Sequence, residues 1–428
     1  MLRTCLPSTI ALAFVPLAVA AQTVTDLPRA DRTLALRTEE VYRIGGADGA
    51  EWQELARVTQ AAFDAAGRLY VLDAQSQRVV VVGADGTHVR THDLRGDGPG
   101  EFRSPVSLGV APDGTLLVFD LGHMAFLRFG PDGRFLGQEA HGPDQGLPLR
   151  GFQVDAQGRV LFSGDGLRIG AGDAGPADRR PIQRVAPGAG SGVETAYDAW
   201  RLPPPERPVE LSPGGGMRFS MGDAELAFAP GLHFGLLPGG QLAVTDSVGY
   251  AVKLVGAGGR VERVLRRPLP PRRVGERDRE AYRRQRMEAA RGGGGGGGRP
   301  GAVMIVRGQG GGGSSGGSGS QTVTLDQKAI ERMVEQQLEQ TTFAQERPVI
   351  AGLATDWAGR IWVERTAEAV GAEGPIDVLS PTEGYLGTVP ADGLRLPLAF
   401  GPDDRMAVVE LDALDVPTVV VRRLTGLR

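Results

Sequence analysis

One pattern recurs six times along the chain: a strand, a tight turn built on Asp and Gly, and a second strand of alternating apolar residues. Its clearest copies are Phe63-Asp-Ala-Ala-Gly67-Arg-Leu-Tyr-Val-Leu-Asp73 and Val110-Ala-Pro-Asp-Gly114-Thr-Leu-Leu-Val-Phe-Asp120. The turn glycine stands where a hairpin needs a positive φ, and the alternation is typical of a strand packed between neighbouring sheets. The other copies turn at Gly158, Gly240, Gly359 and Asp404. Such repetition favours one repeat architecture over several independent domains.

A second turn completes each repeat. It lies 19 residues after the first from Gly67 to Gly86, from Gly114 to Gly133 and from Gly240 to Gly259, and a further short strand follows it. Each repeat therefore has four strands. The steps between first turns at 67, 114 and 158, and again between 359 and 404, are 47, 44 and 45 residues, which matches a propeller blade of about 40 to 50 residues. The sequence predicts an all-β, six-bladed β-propeller over residues 36–425.

Two longer steps, of 82 and 119 residues, predict insertions rather than missing blades. Residues 199–225 are rich in Pro and Gly and indicate an extended loop or an extra hairpin. Residues 268–345 form a helical and Gly-rich, low-complexity insertion between blades 4 and 5, with flexible linkers and helices expected over Glu276–Ala290 and Thr324–Gln340.

The second of these helices carries an amphipathic pattern. Thr324 can cap it, with Gln327 in the position that a capping box requires. Apolar residues recur at intervals of three and four, so we expect that face to pack on the propeller or on the first helix. These residues are Ile330, Met333, Val334 and Leu338.

Closure of the ring should involve both ends of the chain. Blade 6 is one strand short, because its strands are expected at Leu394–Phe400, Arg405–Glu410 and Pro417–Arg422 before the sequence ends. Leu36–Ile44 is a strand with no blade of its own. Since an open propeller would expose a sheet edge, we expect this N-terminal strand to become the outermost strand of blade 6.

The first 21 residues resemble a secretory signal peptide. Arg3 is followed by an apolar run from Ile10 to Val19, which is too short to span a bilayer, and small residues suit cleavage after Ala20 or Ala21. We therefore expect a periplasmic or extracellular protein. Cys5 is the sole cysteine and would be lost on cleavage, which removes disulfides, thiolate metal sites and a cysteine nucleophile from the mature chain.

The stretch Gly96-Asp-Gly-Pro-Gly-Glu-Phe-Arg-Ser-Pro105, together with the strand pattern that ends at Asp120, resembles the NHL repeat. The whole chain is also similar to exported bacterial six-bladed propellers, with Tyr250-Ala-Val252 before an Arg-rich and Pro-rich segment. The resemblance implies the fold, but NHL-like propellers serve as protein-binding, RNA-binding and enzymatic scaffolds.

Three kinds of enzyme also use a propeller ring of this type, and each needs residues that can be sought in the sequence. Calcium-dependent lactonase propellers use carboxylate and Asn side chains, and this chain contains no Asn, so Asp or backbone oxygens would have to substitute. Amidating-lyase propellers need three histidines on zinc. Quinone-dependent propellers use aromatic side chains that stack on the cofactor, whereas we expect the four Trp residues here to pack between blades. His88 and His92 are expected on an outer strand, away from the channel. The other histidines are His123, His141 and His233. The tryptophans are Trp52, Trp200, Trp357 and Trp362.

Several further features are expected to be structural. The recurring Asp73, Asp120 and Asp246 follow the second strand, where an Asp side chain satisfies free backbone N–H groups at the next turn. Gly96–Gly100 lacks the Lys and Ser/Thr of a phosphate loop. The net charge of −4 gives no case for a nucleic acid partner. No other apolar run reaches bilayer length, and we expect a monomer.

The insertion is locally cationic, with 11 arginines and 5 acids between Glu262 and Arg291. Arg283, Arg284 and Arg286 beside Tyr282 are the candidate partner-binding residues. Helical spacing also pairs Glu276 with Arg279, and Glu280 with Arg283 and Arg284, as in a self-neutralised helix.

These observations favour an exported, non-catalytic scaffold without a cofactor, which binds a protein or a small ligand through its loops and insertion. The alternative is a metal-dependent hydrolase, lactonase or lyase with a site in the central channel, which would hold Ca²⁺ or Zn²⁺.

Overall fold

Six sheets arranged around a ring form a six-bladed β-propeller, which confirms the predicted fold. The computed structural model describes residues 22–46, 49–142, 145–164, 178–188, 190, 192–203, 226–291, 304–306, 321–323, 327–391, 394–412 and 416–427. The predicted signal peptide lies outside the described residues, as does most of the predicted loop at 199–225. Residues 199 and 200 belong to a strand instead of that loop.

The N-terminal part of the chain contributes two strands and the first three blades. The two strands are β1 (Thr23–Asp26) and β2 (Leu36–Gly45), and a short 3₁₀ helix follows at Glu51–Gln53. Blade 1 comprises β3 (Val58–Phe63), β4 (Leu69–Asp73), β5 (Arg78–Val82) and β6 (His88–His92). Blade 2 comprises β7 (Pro105–Val110), β8 (Leu116–Asp120), β9 (Ala125–Phe129) and β10 (Phe135–Ala140). Blade 3 comprises β11 (Gln153–Val154), β12 (Val160–Ser163), β13 (Arg179–Val185) and β14 (Glu194–Trp200).

Blade 4 and the insertion follow. After β15 (Leu226–Ala227), blade 4 comprises β16 (His233–Leu236), β17 (Leu242–Thr245), β18 (Ala251–Val255) and β19 (Val261–Arg266). The insertion contains β20 (Arg272–Arg273), α1 (Glu276–Arg291), β21 (Met304–Val306), β22 (Gln321–Val323), α2 (Gln327–Glu339), β23 (Thr342–Phe343) and β24 (Glu346–Arg347).

The last two blades complete the ring. Blade 5 comprises β25 (Ile350–Thr355), β26 (Ile361–Arg365), β27 (Ile376–Ser380) and β28 (Gly384–Val389). Blade 6 comprises β29 (Ala399–Phe400), β30 (Arg405–Leu411), β31 (Pro417–Leu427) and the N-terminal strand β2.

The core of the described residues lies between the blades, with one hydrophobic cluster at each of the six blade-to-blade contacts. Strand β4 illustrates why its sequence is apolar throughout. Leu69 and Val71 pack toward blade 6, whereas Tyr70 and Leu72 pack toward blade 2. Because successive side chains of a strand point to opposite faces, a strand between two blades needs apolar residues at every position.

A shared turn geometry links the first two strands of the blades. In the first five blades the first-turn glycine has φ between +75° and +85°, as the repeat predicted. In blade 1 the buried Asp64 accepts hydrogen bonds from the backbone N–H of Ala66 and Arg68 and from Arg68 Nε at 2.6 Å. Asp155–Arg159 and Asp356–Arg360 repeat this arrangement in blades 3 and 5. In blades 1, 3 and 5 the first turn is therefore fixed by an Asp–Arg ion pair as well as by a glycine.

Blade 6 is closed by the N-terminal strand, as predicted. Strand β2 pairs antiparallel with β31, from Leu36 opposite Leu427 to Gly45 opposite Thr418. Upstream of it, β1 adds to the outer edge of blade 4 in parallel with β19, a strand that the repeat analysis did not predict. Between β1 and β2, the backbone carbonyl of Thr388 in β28 accepts from Leu34 N, and the backbone N–H of Thr388 donates to Arg32 O. Residues 23–45, which we call the N-terminal strap, thus join the outer edges of blades 4, 5 and 6.

A buried ionic cluster holds the strap against blades 4 and 5. Arg267 has no exposed side-chain surface, and its Nη1 lies 2.7 Å from Asp377, which is equally buried. The same guanidinium donates to the carbonyl oxygens of Pro28, Arg29 and Ala30 and lies 2.9 Å from Asp31. These contacts satisfy a charge that burial would otherwise strongly disfavour.

Candidate partner-binding face on the insertion

The two ends of each blade form two distinct faces of the ring. One end carries the first turn of each blade and the turn between its third and fourth strands, which is called the third turn from here on; in blade 1 these are Asp64–Gly67 and Gly83–Gly86, and we call this end the turn face. The other carries the turns between second and third strands and the links between blades. In blade 5 this second end is the segment 366–375, and the insertion lies against it, so we call it the insertion face.

Helix α1 is tied to blade 5 by one largely buried ion pair. Arg347 Nη1 lies 3.2 Å from Asp278, and the two side chains are 6% and 14% exposed. The same guanidinium donates to the carbonyl oxygens of Ala367 and Glu368, and Arg272 also donates to Glu368 O. The helix is therefore anchored by its first turn to the loop between β26 and β27.

An aromatic cluster fixes the middle of α1. Tyr282 packs edge-on against Phe228 and Phe343, with ring centroids 5.4 and 5.6 Å apart. The guanidinium groups of Arg279 and Arg283 lie 5.7 and 5.4 Å from the centroid of Phe343. Phe343 belongs to β23, which pairs in parallel with β15, and Phe228 directly follows β15. Aromatic and cation–π contacts thus hold one side of the helix.

Helix α2 packs against α1, which confirms one of the two packings expected for its apolar face. Leu338 is buried, and Met333 and Val334 are partly buried. Arg291 lies 3.9 Å from Glu331 across the two helices. The side chain of Ile330 and the proposed cap at Thr324 lie outside what the structure describes.

The four candidate partner-binding residues have different surroundings. Tyr282 is partly buried in the aromatic cluster, Arg283 lies 3.5 Å from Glu276, and Arg286 is partly buried. Arg284 is exposed and has no partner among the described residues. The predicted Glu276–Arg279 pair is present at 3.4 Å, whereas the predicted pairs of Glu280 are absent from this fully described helix.

Two further arginines of the insertion are exposed, although the sequence did not predict them as partner-binding residues. Arg277 lies one heptad before Arg284, and Arg273 is in β20 just before the helix. Neither side chain has an ion-pair or hydrogen-bond partner in the described part of the chain. The spacing of seven residues between Arg277 and Arg284 could have indicated a shared binding surface, because residues at this spacing lie on one helix face. Arg273, Arg277 and Arg284 are called the exposed arginines below.

The inner strands around the central channel are joined by side-chain hydrogen bonds. Gln60 Oε1 accepts from Leu108 N between blades 1 and 2. Gln153 bridges blades 3 and 4 by donating to Phe234 O and accepting from Leu236 N at 2.6 Å. Thr355 Oγ1 donates to Leu236 O from blade 5. Polar residues of the inner strands therefore connect neighbouring blades.

The histidines lie in separate settings. His88 and His92 are on β6, the outermost strand of blade 1, as predicted. His123 Nδ1 lies 3.2 Å from Asp120 in blade 2, and His141 Nε2 lies 2.7 Å from Gly146 O. His233 is on the inner strand of blade 4, where burial, with nearby arginines, lowers its pKa to about 4. Within the described ranges, no three His, Cys, Asp or Glu residues are placed to hold a metal ion.

The recurring aspartates have the structural role that was expected. Asp73 accepts from the backbone N–H of Ala56 and Arg57, and Asp120 accepts from Arg103 N and Ser104 N. Asp246 accepts from Trp200 N and pairs with Lys253 at 2.7 Å. Burial opposes the Lys253 charge, but the bond to Asp246 raises its pKa. In blades 1 and 2 the carboxylate ties the preceding link to the second strand, and in blade 4 it ties the end of β14 to the second strand.

The tryptophans do not all pack between blades. Trp362 is fully buried, and its Nε1 donates to Asp356. The expectation was wrong for Trp357, whose side chain is 43% exposed on the turn face. The reason is local, because Trp357 occupies the turn itself rather than a strand.

Comparisons with known proteins give structural likenesses of low sequence identity. No family model matches the sequence, and no curated protein does. The solved structures that are similar include the Bacteroides fragilis protein BF0058, with a TM-score of 0.46 and 12% identity, over 94% of this chain and 100% of that one. They also include a gluconolactonase from Xanthomonas campestris, with a TM-score of 0.37 and 13% identity over 86% of both chains. Virginiamycin B lyase from Staphylococcus aureus has a TM-score of 0.38 and 10% identity, over 91% of this chain and 99% of that one.

None of their activities is assigned to this chain, since all three TM-scores lie below 0.5. The resemblance to NHL repeats stays a prediction. In the described ranges no helix combines the length and the apolar character needed to cross a membrane.

Proposed function

We propose that this chain is an exported, non-catalytic propeller scaffold that binds an acidic protein through its insertion face. The main support for the proposal is the group of exposed arginines. Their side chains have no partner among the described residues, and the insertion that contains them is fixed to blade 5. A guanidinium is weakly hydrated and presents several donors in a plane, which suits recognition of carboxylates on a partner. Export by the predicted signal peptide would place this surface in the periplasm or outside the cell.

The rigidity of the surface supports a binding role. The Asp278–Arg347 pair and the cluster around Tyr282 hold α1 in place before a partner arrives. A preformed surface loses less conformational entropy on association than a flexible one does. Helix α1 itself contains six Arg and four acidic residues, so its net charge is +2 while the whole chain has −4. This contrast gives an acidic partner a preferred orientation.

The test is salt-dependent capture from periplasmic or secreted protein, followed by identification of the partner. Arg277→Glu with Arg284→Glu should abolish capture of an acidic protein, since both contacts become repulsive. Arg134→Glu with Arg260→Glu is the matched control, because it makes the same change in net charge at two exposed third-turn positions on the turn face. Equal capture by the two double variants would contradict the proposal.

The alternative function, a metal-dependent hydrolase, lactonase or lyase in the channel, has its own test. Metal analysis of the purified mature protein should find no stoichiometric Ca²⁺ or Zn²⁺ if the scaffold proposal is right. Stoichiometric metal would favour the enzyme instead.

A further inference from the structure

A cavity of about 320 Å³ lies on the turn face between the first turns of blades 5 and 6. It is at the opposite end of blade 5 from the insertion, so it is independent of the exposed arginines. Trp357 and Ala358 line it from blade 5, and Pro402, Asp403 and Asp404 line it from blade 6. Its volume suits a single side chain or a small molecule.

Trp357 breaks the repeat at this point. The equivalent turn position in the other blades holds Ala or Pro: Ala65, Pro112, Ala156, Pro238 and Pro402. The indole Nε1 donates to Phe400 O of blade 6 at 2.8 Å, which fixes the ring across the blade contact. The side chain nevertheless stays 43% exposed. An aromatic ring is thus held in place beside a cavity instead of being packed into a blade.

The blade 6 turn also departs from the repeat. Asp403 and Asp404 have φ values of +56° and +55°, and Asp404 replaces the glycine of the other five blades. Left-handed backbone is unfavourable for residues with a side chain, so glycine at both positions would relieve strain. Asp404 is engaged by Arg360. Asp403 is exposed, and in the described part of the chain its carboxylate has no partner.

The charges of the cavity favour a cationic ligand. Three carboxylates line it, Asp356, Asp403 and Asp404, with two arginines, Arg360 and Arg405, which leaves one net negative charge. Arg360 binds both Asp356 and Asp404, and Arg405 donates to Ala84 O in blade 1. Asp403 is the lining carboxylate that has no partner among the described residues, and it lines the same cavity as the exposed ring of Trp357. A carboxylate beside an aromatic ring recognises an organic cation through an ion pair and a cation–π contact.

We propose that this cavity binds a guanidinium or ammonium group on an apolar stem, of the kind found at the end of an arginine or lysine side chain. The stem lies along Trp357, and the cation meets Asp403. The site explains why a strained, unpartnered aspartate occupies a turn that glycine would satisfy.

Binding is tested with N-acetyl-arginine amide against the neutral isostere N-acetyl-citrulline amide. The readout is the indole N–H resonance of Trp357 in ¹⁵N-labelled protein, identified from its loss in Trp357→Phe. With the arginine compound we expect saturable shifts and a dissociation constant in the millimolar range. This is about the affinity that one ion pair and one cation–π contact provide. The citrulline compound should shift the resonance at least tenfold more weakly.

Two variants separate the ligand role of Asp403 from a structural role. Asp403→Asn should weaken binding at least tenfold, while Asp113→Asn, at the equivalent turn position of blade 2, should leave it unchanged. Asp403→Gly should abolish binding and yet melt at a temperature equal to or above that of the unsubstituted protein. Equal binding of the two compounds, undiminished binding by Asp403→Asn, or a lower melting temperature for Asp403→Gly would overturn the proposal.

Discussion

Replacement of Arg267 by Leu should be among the most destabilising single changes in the protein. The substitution leaves Asp377 fully buried, with the Thr388 hydroxyl at 2.6 Å and Arg365 Nε at 3.6 Å still beside it. Removing one member of a buried ion pair costs about 3 to 5 kcal/mol. Because Arg365 partly compensates, we expect the lower half of that range, about 3 to 4 kcal/mol.

The assay is urea unfolding followed by tryptophan fluorescence, with limited proteolysis of the N-terminal strap as a local readout. Asp31→Ala is the matched control, since Asp31 binds the same guanidinium but is 43% exposed. A half-exposed pair of this kind contributes about 1 kcal/mol or less. Arg267→Leu combined with Asp377→Leu should recover at least about 2 kcal/mol of the single-variant loss, because no buried charge is left unpaired.

The reasoning fails if Arg267→Leu and Asp31→Ala destabilise the protein equally. It also fails if the strap is cleaved no faster in Arg267→Leu than in the unsubstituted protein, because three of its carbonyl groups lose their donor in that variant.

Three further predictions concern closure, pH and the channel. Ile44→Ala, at a buried position of β2, should cost about 2 to 5 kcal/mol in urea unfolding; a cost below 1 kcal/mol would show that β2 adds little to blade 6. Because burial lowers the pKa of His233 to about 4, the unfolded chain binds the proton more readily, and stability should fall from pH 7 to pH 5 by at most about 2 kcal/mol for this residue. His233→Gln should reduce this dependence of stability on pH. A part will remain from His92, because burial and Arg90 also lower the pKa of His92 to about 4. An unchanged pH dependence in His233→Gln would show that His233 is not its source. Gln153→Leu should cost about 1 to 3 kcal/mol by leaving two backbone groups of blade 4 unpaired, and a neutral result would mean that water replaces the amide.

The repeat allowed most of the fold to be predicted because each blade is a local unit. The spacing from Gly67 to Gly114 measures one blade, and a positive φ at such a position follows from local sterics. Closure by residues 36–44 could be predicted as well, because an unfilled strand position at one end matched a spare strand at the other. Both inferences depend only on counting strands.

Features that depend on contacts between distant residues could not be predicted. The strand β1 has four residues and belongs to no repeat, and its partner β19 lies about 240 residues later. The cavity beside Trp357 is completed by a turn in the next blade. Arg347 and Asp278 are 69 residues apart, and their pairing decides which face of α1 stays open. No periodicity in the sequence carries such information.

The pairing of β2 with β31 also determines when the protein can mature. The partner of Leu36 is Leu427, so β2 cannot take its place in blade 6 before β31 has been made, although β1 and Arg267 can already hold the preceding residues against blade 4. Until β31 is available, the outer margin of the sixth sheet has no antiparallel neighbour, and residues 36–45 stay available to any factor that recognises extended peptide. Closure of the ring therefore waits for β31, whatever the order in which the intermediate blades assemble.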